Sequence, residues 1–195
     1  MRPQKQLWVL AGGNGSGKST FYKLSLLSRR GVHFLNADMI ARSINPEQPE
    51  QVSYEAAHLV ERIRDEFLVS GISFCFETVF SHPSKIDFIA KAIALGYQVI
   101  LIYMHLDSAG LNEARVAQRV LEGGHSVPPE KIRSRLPRTM KNVATALQLA
   151  DEARLLDNSY RDHPFQPVAL IRNGRRIQAI DPLPSWAVEM LRHIP

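Results

Sequence analysis

A chain of 195 residues, 45% hydrophobic and 22% charged, has the balance of an ordinary soluble globular protein and the length for one domain over residues 1–195. The formal charge of +5 and a pI near 9.6 point to anionic ligands, whether nucleotides, sugar phosphates or nucleic acid. The single cysteine, Cys75, excludes an internal disulfide and reads as a core side chain in a reducing cytosol, and the seven histidines fall at no zinc-ligand spacing.

Along the chain, the first apolar run is LWVLA at 7–11, too short for a signal peptide or a membrane span, so a cytoplasmic protein without a membrane is expected. That run reads as a buried strand, followed at once by GGNGSGKST and a helix to about Ser28. VHFLNA, at 32–37, reads as a second strand, after which Asp38 opens a short helix; NPEQPEQ, at 45–51, is a Pro-rich loop. From Tyr54 to Val69, Ala56, Val60, Ile63 and Phe67 recur at helical spacing. ISFCF, at 72–76, is the third strand and stops at Glu77-Thr78; Ile86, Ile89, Ala90 and Ile93 mark the next helix, closed by Gly96. YQVILIYMHL, at 97–106, is a long buried strand, and 107–151 reads as a helical pair around EGGHSVPPE. VALIRNGRRIQAI, at 168–180, is a hairpin turning at Asn173-Gly174, and PSWAVEMLRHI is a terminal docking helix.

Apolar strands alternating with amphipathic helices predict a mainly parallel sheet covered on both faces. The expected fold is therefore α/β, in three α/β/α layers, with a helical pair at about 107–151 and a C-terminal β-hairpin. In such sheets ligands bind beyond the carboxyl ends of the strands. The glycine loop, Asp38 and Glu77 all follow strand ends, which gives them one address.

Gly12, Gly13, Asn14, Gly15, Ser16, Gly17, Lys18 and Ser19 satisfy G-x-x-x-x-G-K-[ST] in full, with Thr20 following. Glycines let backbone N–H groups converge on a phosphate, Lys18 reaches the β- and γ-phosphates, and Ser19 is the expected Mg²⁺ ligand. With average glycine usage, a chance match in a chain of this length is on the order of one per cent, and the strand before and helix after lower it further. ATP with Mg²⁺ is the expected cofactor. No Asn-Lys-x-Asp guanine motif and no LSGGQ-like signature is present, which argues against a GTPase and a transporter ATPase and leaves a small kinase: a kinase-like P-loop NTPase fold with 107–151 as its helical lid.

The arginines fit a kinase. In 109–122, Leu111, Ala114, Ala117 and Leu121 form the expected apolar stripe, with Arg115 and Arg119 at i,i+4 beside it. Lys131, Arg135 and Arg138 form a second cationic strip beside Ile132, Leu136, Met140 and Val143. An arginine supplied to a transferring phosphoryl group is worth about 10³–10⁵ in rate, although any one of these could equally be a solvated surface charge. His125, at the joint, reads as either a ligand contact or a turn residue. Asp38 reads either as a helix N-cap or as a base.

The stretches GGNGSGKSTF, FLNADMIA, FCFETVF, RVAQRVLEGGHSVPPEKI, RSRLPRTMKN and LLDNS, in that order over about residues 7–159, resemble the zeta-toxin family of P-loop kinases, in its short bacterial branch. The resemblance implies an ATP-dependent kinase acting on a hydroxyl of UDP-activated amino sugars such as UDP-N-acetylglucosamine. It also implies a toxin held in check by an antitoxin protein. It assigns Asp38 as general base, Glu77 and Thr78 to the substrate pocket, and Lys18 and Ser19 to the phosphate loop. Arg119 and Arg135 are its first choices for the catalytic lid arginines, with Arg115 in reserve. Ser134-Arg135-Leu136 departs from the consecutive arginines and aromatic of that branch, and Val79 stands where a second Thr is common.

Two other functions stay open at this level. One is a kinase for a nucleoside, an antibiotic or a nucleic-acid end; no basic tract interleaved with aromatics supports the last. The other is a non-catalytic, ATP-gated binding protein.

Overall fold

The computed structural model describes residues 4–28, 31–124 and 126–195. Its centre is a seven-stranded sheet: β1 (Gln6–Ala11), β2 (His33–Leu35), β3 (Phe74–Thr78), β4 (Gln98–His105), β5 (Glu152–Asp157), β6 (Gln166–Arg172) and β7 (Arg175–Ala179), in the order β2-β3-β1-β4-β5-β6-β7. The first five are parallel, and the last two are added antiparallel. β5 is the strand that the sequence pattern missed. Glu152 and Arg154 interrupt its apolar run, and both charges are held at its surface, Glu152 by Arg154 and Arg172. The β6–β7 turn falls at Asn173-Gly174, with φ of 48° and 69°, the conformation that dipeptide favours in a tight hairpin.

Strand alternation sends side chains to two separate cores. Leu7, Val9, Phe74, Phe76, Leu101 and Tyr103 face the larger one, covered by α3 (Ser53–Ser70), α4 (Ser84–Ala94), α6 (Pro129–Ala146) and the terminal α7 (Ser185–Met190). Trp8, Leu10, Cys75, Ile100, Ile102 and Met104 face the other, covered by α1 (Lys18–Phe21) and the π-helical turn Tyr22–Leu26 that continues it. Cys75 is fully buried, and burial, reinforced by the Glu77 charge, pushes its thiol far up, so it packs rather than reacts. The remaining helices, α2 (Ala37–Ile44) and α5 (Ala109–Leu121), stand at the carboxyl edge of the sheet.

The helical pair expected over 107–151 is α5 and α6, and much of it is anchored. Thr139, Asn142, Val143 and Ala146 of α6 are core residues, and Asn112 and Val116 of α5 are buried. The expected α5 stripe is corrected: Ala114, Ala117 and Leu121 are exposed, and Leu121 is 89% so. The helix instead turns its Asn112–Val116 face inward, where Asn112 bonds a backbone carbonyl (below) and Val116 packs with Val127 and Ile132.

His105, the last residue of β4, is buried, stacked on Trp186 at 4.2 Å and hydrogen-bonded through Nδ1 to the Tyr103 hydroxyl at 3.1 Å. Burial lowers its pKa to about 4, against the opposing charges of Asp157 and Asp107. The folded-state value lies below the unfolded one, so the unfolded chain alone takes up this proton as pH falls from about 6.5 towards 4. Stability should therefore fall by about 2.5 kcal/mol between pH 7 and pH 4.5 from this residue. Urea unfolding at the two pH values checks this. In His105→Phe that loss should be removed; an unchanged pH dependence would contradict the assignment.

Candidate active site

The phosphate loop, 12–20, leaves β1 at the point where the sheet order divides, with β3 on one side and β4 on the other. Gly12, Gly13 and Ser16 are packed behind the loop, while Asn14, Gly15, Gly17, Ser19 and Thr20 face the clefts described below. Gly17 has a φ of 91°, and a Cβ there would sit 2.5 Å from Asn158 Nδ2, so both conformation and space require glycine. Lys18 is buried, and its Nζ donates to the carbonyls of Gly12 and Gly13, each at 2.9 Å. Burial lowers its pKa, the Glu77 charge opposes this, Arg119 adds to the lowering, and Asp38 opposes it. One amine thus feels both the acidic and the cationic groups that the sequence singled out.

The acidic side rests on β3 and α2. Register with β1 sets Glu77 opposite Leu10 and Thr78 opposite Ala11, so the apolar strand ends at the phosphate loop. Glu77 is half-buried, and Ser19 Oγ donates to its Oε2 at 2.6 Å. Thr78 Oγ1 accepts from the N–H of Phe80, a fully buried residue held at a φ of 64°. Left-handed backbone at a bulky residue persists only where neighbours enforce it. Here α6 does so: Thr139 Oγ1 donates to the Val79 carbonyl at 2.8 Å, and Asn142 Nδ2 donates to the Phe80 carbonyl at 3.0 Å. The reading of Asp38 as a helix cap is corrected. Asn36 caps α2, its Oδ1 accepting from Met39 N–H at 3.0 Å, and Asp38 stands exposed in the first turn.

The cationic side is α5. Arg115 and Arg119 flank its buried Asn112–Val116 face. The helix ends where the Gly124 N–H bonds the Arg119 carbonyl at 2.8 Å, and a Cβ on Gly124 would lie 2.5 Å from Arg119 Cγ. The glycine pair therefore ends the helix and lets the chain lie against the Arg119 stem. Across the joint, Arg133 of α6 donates twice to Glu113, at 2.6 and 3.0 Å. His125 lies outside the described residues.

Two clefts meet on the phosphate loop. One, of about 400 Å³, is lined by Lys18, Ser19, Asp38, Glu77, Thr78 and Val79 together with Arg115 and Arg119. The other, of about 590 Å³, runs from Gly15, Gly17 and Thr20 past the same two arginines to Tyr160, Arg161 and Phe165. Of the site residues expected from sequence outside the phosphate loop, Arg135 is the exception. It is half-buried on α6 and lines neither cleft. Sequence reasoning passed over Asn36, Asn112, Asn158 and the 158–165 segment. An Asn just before a helix start is a capping signal that could have found Asn36; Asn158 follows an unrecognised strand, and Asn112 sits inside a helix with nothing in its pattern to mark it.

A model of the zeta toxin family matches residues 1–161. An uncharacterized protein from Haemophilus influenzae is 30% identical over 139 residues, which is 68% of this chain and 98% of that protein. Among solved structures, AvrRxo1-ORF1:ORF2 with ATP aligns with 98% of this chain at a TM-score of 0.73 and 20% identity, and this chain spans 63% of that one. A structure from the PezAT toxin–antitoxin system of Streptococcus pneumoniae aligns with 98% of this chain and 78% of its own, at a TM-score of 0.61 and 13% identity. At these identities the structural likeness establishes a shared α/β P-loop fold.

Proposed function

This chain belongs to the zeta toxin family, and on that premise we propose that its P-loop kinase fold transfers the γ-phosphate of ATP to a hydroxyl of a UDP-activated amino sugar such as UDP-N-acetylglucosamine. The observation that carries this reading is the meeting of Lys18, Ser19, Asp38, Glu77 and Arg119 around one cleft on the phosphate loop. A cationic phosphate cradle facing two carboxylates is what transfer to an alcohol requires, since that chemistry is mostly positioning and charge stabilisation.

In this mechanism the acceptor hydroxyl lies in the cleft with Asp38, Glu77 and Thr78, and the nucleoside of ATP lies in the larger cleft towards Phe165. Asp38 takes the hydroxyl proton as the new O–Pγ bond forms and the bond from Pγ to the β-phosphate oxygen breaks, releasing ADP. Lys18 turns from the Gly12 and Gly13 carbonyls to the β- and γ-phosphates, while Arg119 and Arg115 bear on the charge of the transferring group. Ser19 and Glu77 fit Mg²⁺: a hydroxyl and a carboxylate, both hard oxygen donors, already meet at 2.6 Å on the phosphate loop. Bound there, the ion would neutralise charge on the β- and γ-phosphates. The proposal includes a single kinase domain over 1–195 and a cytoplasmic location. It also includes an antitoxin partner, for which the supports are the family and the toxin–antitoxin system of the pneumococcal neighbour. Binding of ATP is supported by the phosphate loop itself and by the ATP in the AvrRxo1-ORF1 structure.

Incubating the protein with ATP·Mg²⁺ and a panel of UDP-sugars, nucleosides and oligonucleotides tests the acceptor. A mass gain of one phosphoryl group on a UDP-amino sugar is expected. Phosphorylation of only a nucleoside or an oligonucleotide end, or of nothing, would overturn the reading. Glu77→Gln should raise both the half-saturating Mg²⁺ concentration and the acceptor KM by about tenfold, because one carboxylate oxygen serves Ser19 and the other is left for the sugar. Titrations of each at saturating ATP check this, and a variant that moves neither removes Glu77 from the site.

A further inference from the structure

The loop that would hold the phosphates is itself held by two asparagines from opposite sides. Asn112, in the first turn of α5, is fully buried, and its Nδ2 donates to the Asn14 carbonyl at 2.6 Å. A Cβ on Gly13 would lie 2.6 Å from the same nitrogen, so the amide is pressed onto the loop. Asn158, the first residue after β5, is 5% exposed, and its Nδ2 donates to the Ser16 carbonyl at 2.9 Å. Its backbone N–H is fixed to the His105 carbonyl at 3.0 Å, and its Oδ1 accepts from the Phe165 N–H at 3.1 Å.

These contacts have a directional consequence. A phosphate loop binds anions through its N–H groups, and its carbonyls must point elsewhere. Two of those carbonyls, on Asn14 and Ser16, are taken up by side-chain amides outside the loop. Each amide also belongs to an element that lines a cleft. Asn112 shares its helix with Arg115 and Arg119, and Asn158 closes the 158–165 segment that carries Tyr160, Arg161 and Phe165. Three buried polar atoms in this same contact region, Asn14 Oδ1, Ser16 Oγ and Asn112 Oδ1, have no hydrogen-bond partner within the described residues.

We propose that Asn112 and Asn158 are positioning residues that clamp the phosphate loop by its carbonyls, setting its N–H groups for the triphosphate and linking the arginine helix and the Phe165 segment to the nucleotide. This rests on the phosphate loop binding a triphosphate, but not on the identity of the acceptor. Neither residue touches a reacting atom.

The variants that test it are Asn158→Leu and Asn112→Leu, near-isosteric changes that remove the donated hydrogen bond without adding a negative charge beside the phosphates. Binding is measured by calorimetry with ATP and, separately, with inorganic tripolyphosphate, which has no base. The clamp predicts that each variant loses about 10- to 100-fold in affinity for both ligands, by about the same factor. Thermal unfolding without ligand is recorded alongside, and kinetics should show the loss in KM for ATP with acceptor KM unchanged. The proposal is overturned if both ligands bind within twofold of wild type, or if only ATP weakens, which would make Asn158 a contact of the nucleoside. It is also overturned if the loss appears as a lower active fraction with unchanged KM, the mark of a purely structural role. A wild-type protein that binds neither ligand would fail the nucleotide reading itself and is recognised as such before any variant is made.

Discussion

Asp38→Asn should lower kcat by about 100- to 10,000-fold while the dissociation constant for ATP stays within about twofold of wild type. The reason lies in the split between Asn36 and Asp38. Had Asp38 capped α2, Asn would replace it almost without cost, since both side chains cap well. Asn36 already does that work, with its Oδ1 on the Met39 N–H, and Asp38 lines the cleft with Lys18 and Glu77. Asp38 is exposed and Asn36 supplies the cap, so the thermal midpoint should move little. Under the proposed mechanism turnover depends on the Asp38 carboxylate, because an amide cannot take the acceptor's proton. Steady-state kinetics and ATP calorimetry on the same preparation separate the two effects. Full activity in the variant would remove Asp38 as the base.

Arg119→Ala should cost about 1,000-fold or more in transfer, within the range found for arginines that stabilise a transferring phosphoryl group. Arg119 borders both clefts, its charge bears on Lys18, and Gly124 lies against its stem. Arg135→Ala is the paired control. The two were ranked together from sequence, but Arg135 lines neither cleft, and its replacement should leave kcat within about threefold. Rates of both variants under saturating substrates decide the matter. Equal losses would mean that α6 reaches the phosphates, and an Arg119→Ala variant of normal rate would turn the assignment over to Arg115.

Much of the fold was legible because three of the parallel strands are continuous apolar runs and α3 and α4 keep a helical period. β1, β3 and β4 announce themselves in LWVLA, ISFCF and YQVILIYMHL, and Asn173-Gly174 marks the hairpin. β5 was not legible. Its Glu152 and Arg154 answer each other and Arg172, a compensation visible only once β6 lies alongside. The phosphate-loop end of the candidate site was readable because phosphate binding needs glycines and a lysine at fixed spacing, and because a carboxylate at the end of an apolar strand demands a partner. Glu77 has that partner in Ser19, 58 residues earlier in the chain. What could not be read is which face a helix offers when its inward contact is polar. On α5, hydrophobic periodicity selected Leu111, Ala114, Ala117 and Leu121, but the inward face is the one where Asn112 bonds a backbone carbonyl and Val116 packs against Val127 and Ile132. Side chains that act on backbone, such as Asn112, Asn158 and Asn142, carry no pattern of their own.

The most direct test is a transfer reaction containing ATP labelled at the γ-phosphate, Mg²⁺ and UDP-N-acetylglucosamine, with products separated and weighed for the wild type and for Asp38→Asn. Label on the amino sugar, dependent on Asp38, is the predicted result. Label found only in inorganic phosphate, or still in ATP after prolonged incubation with wild-type protein, would contradict it.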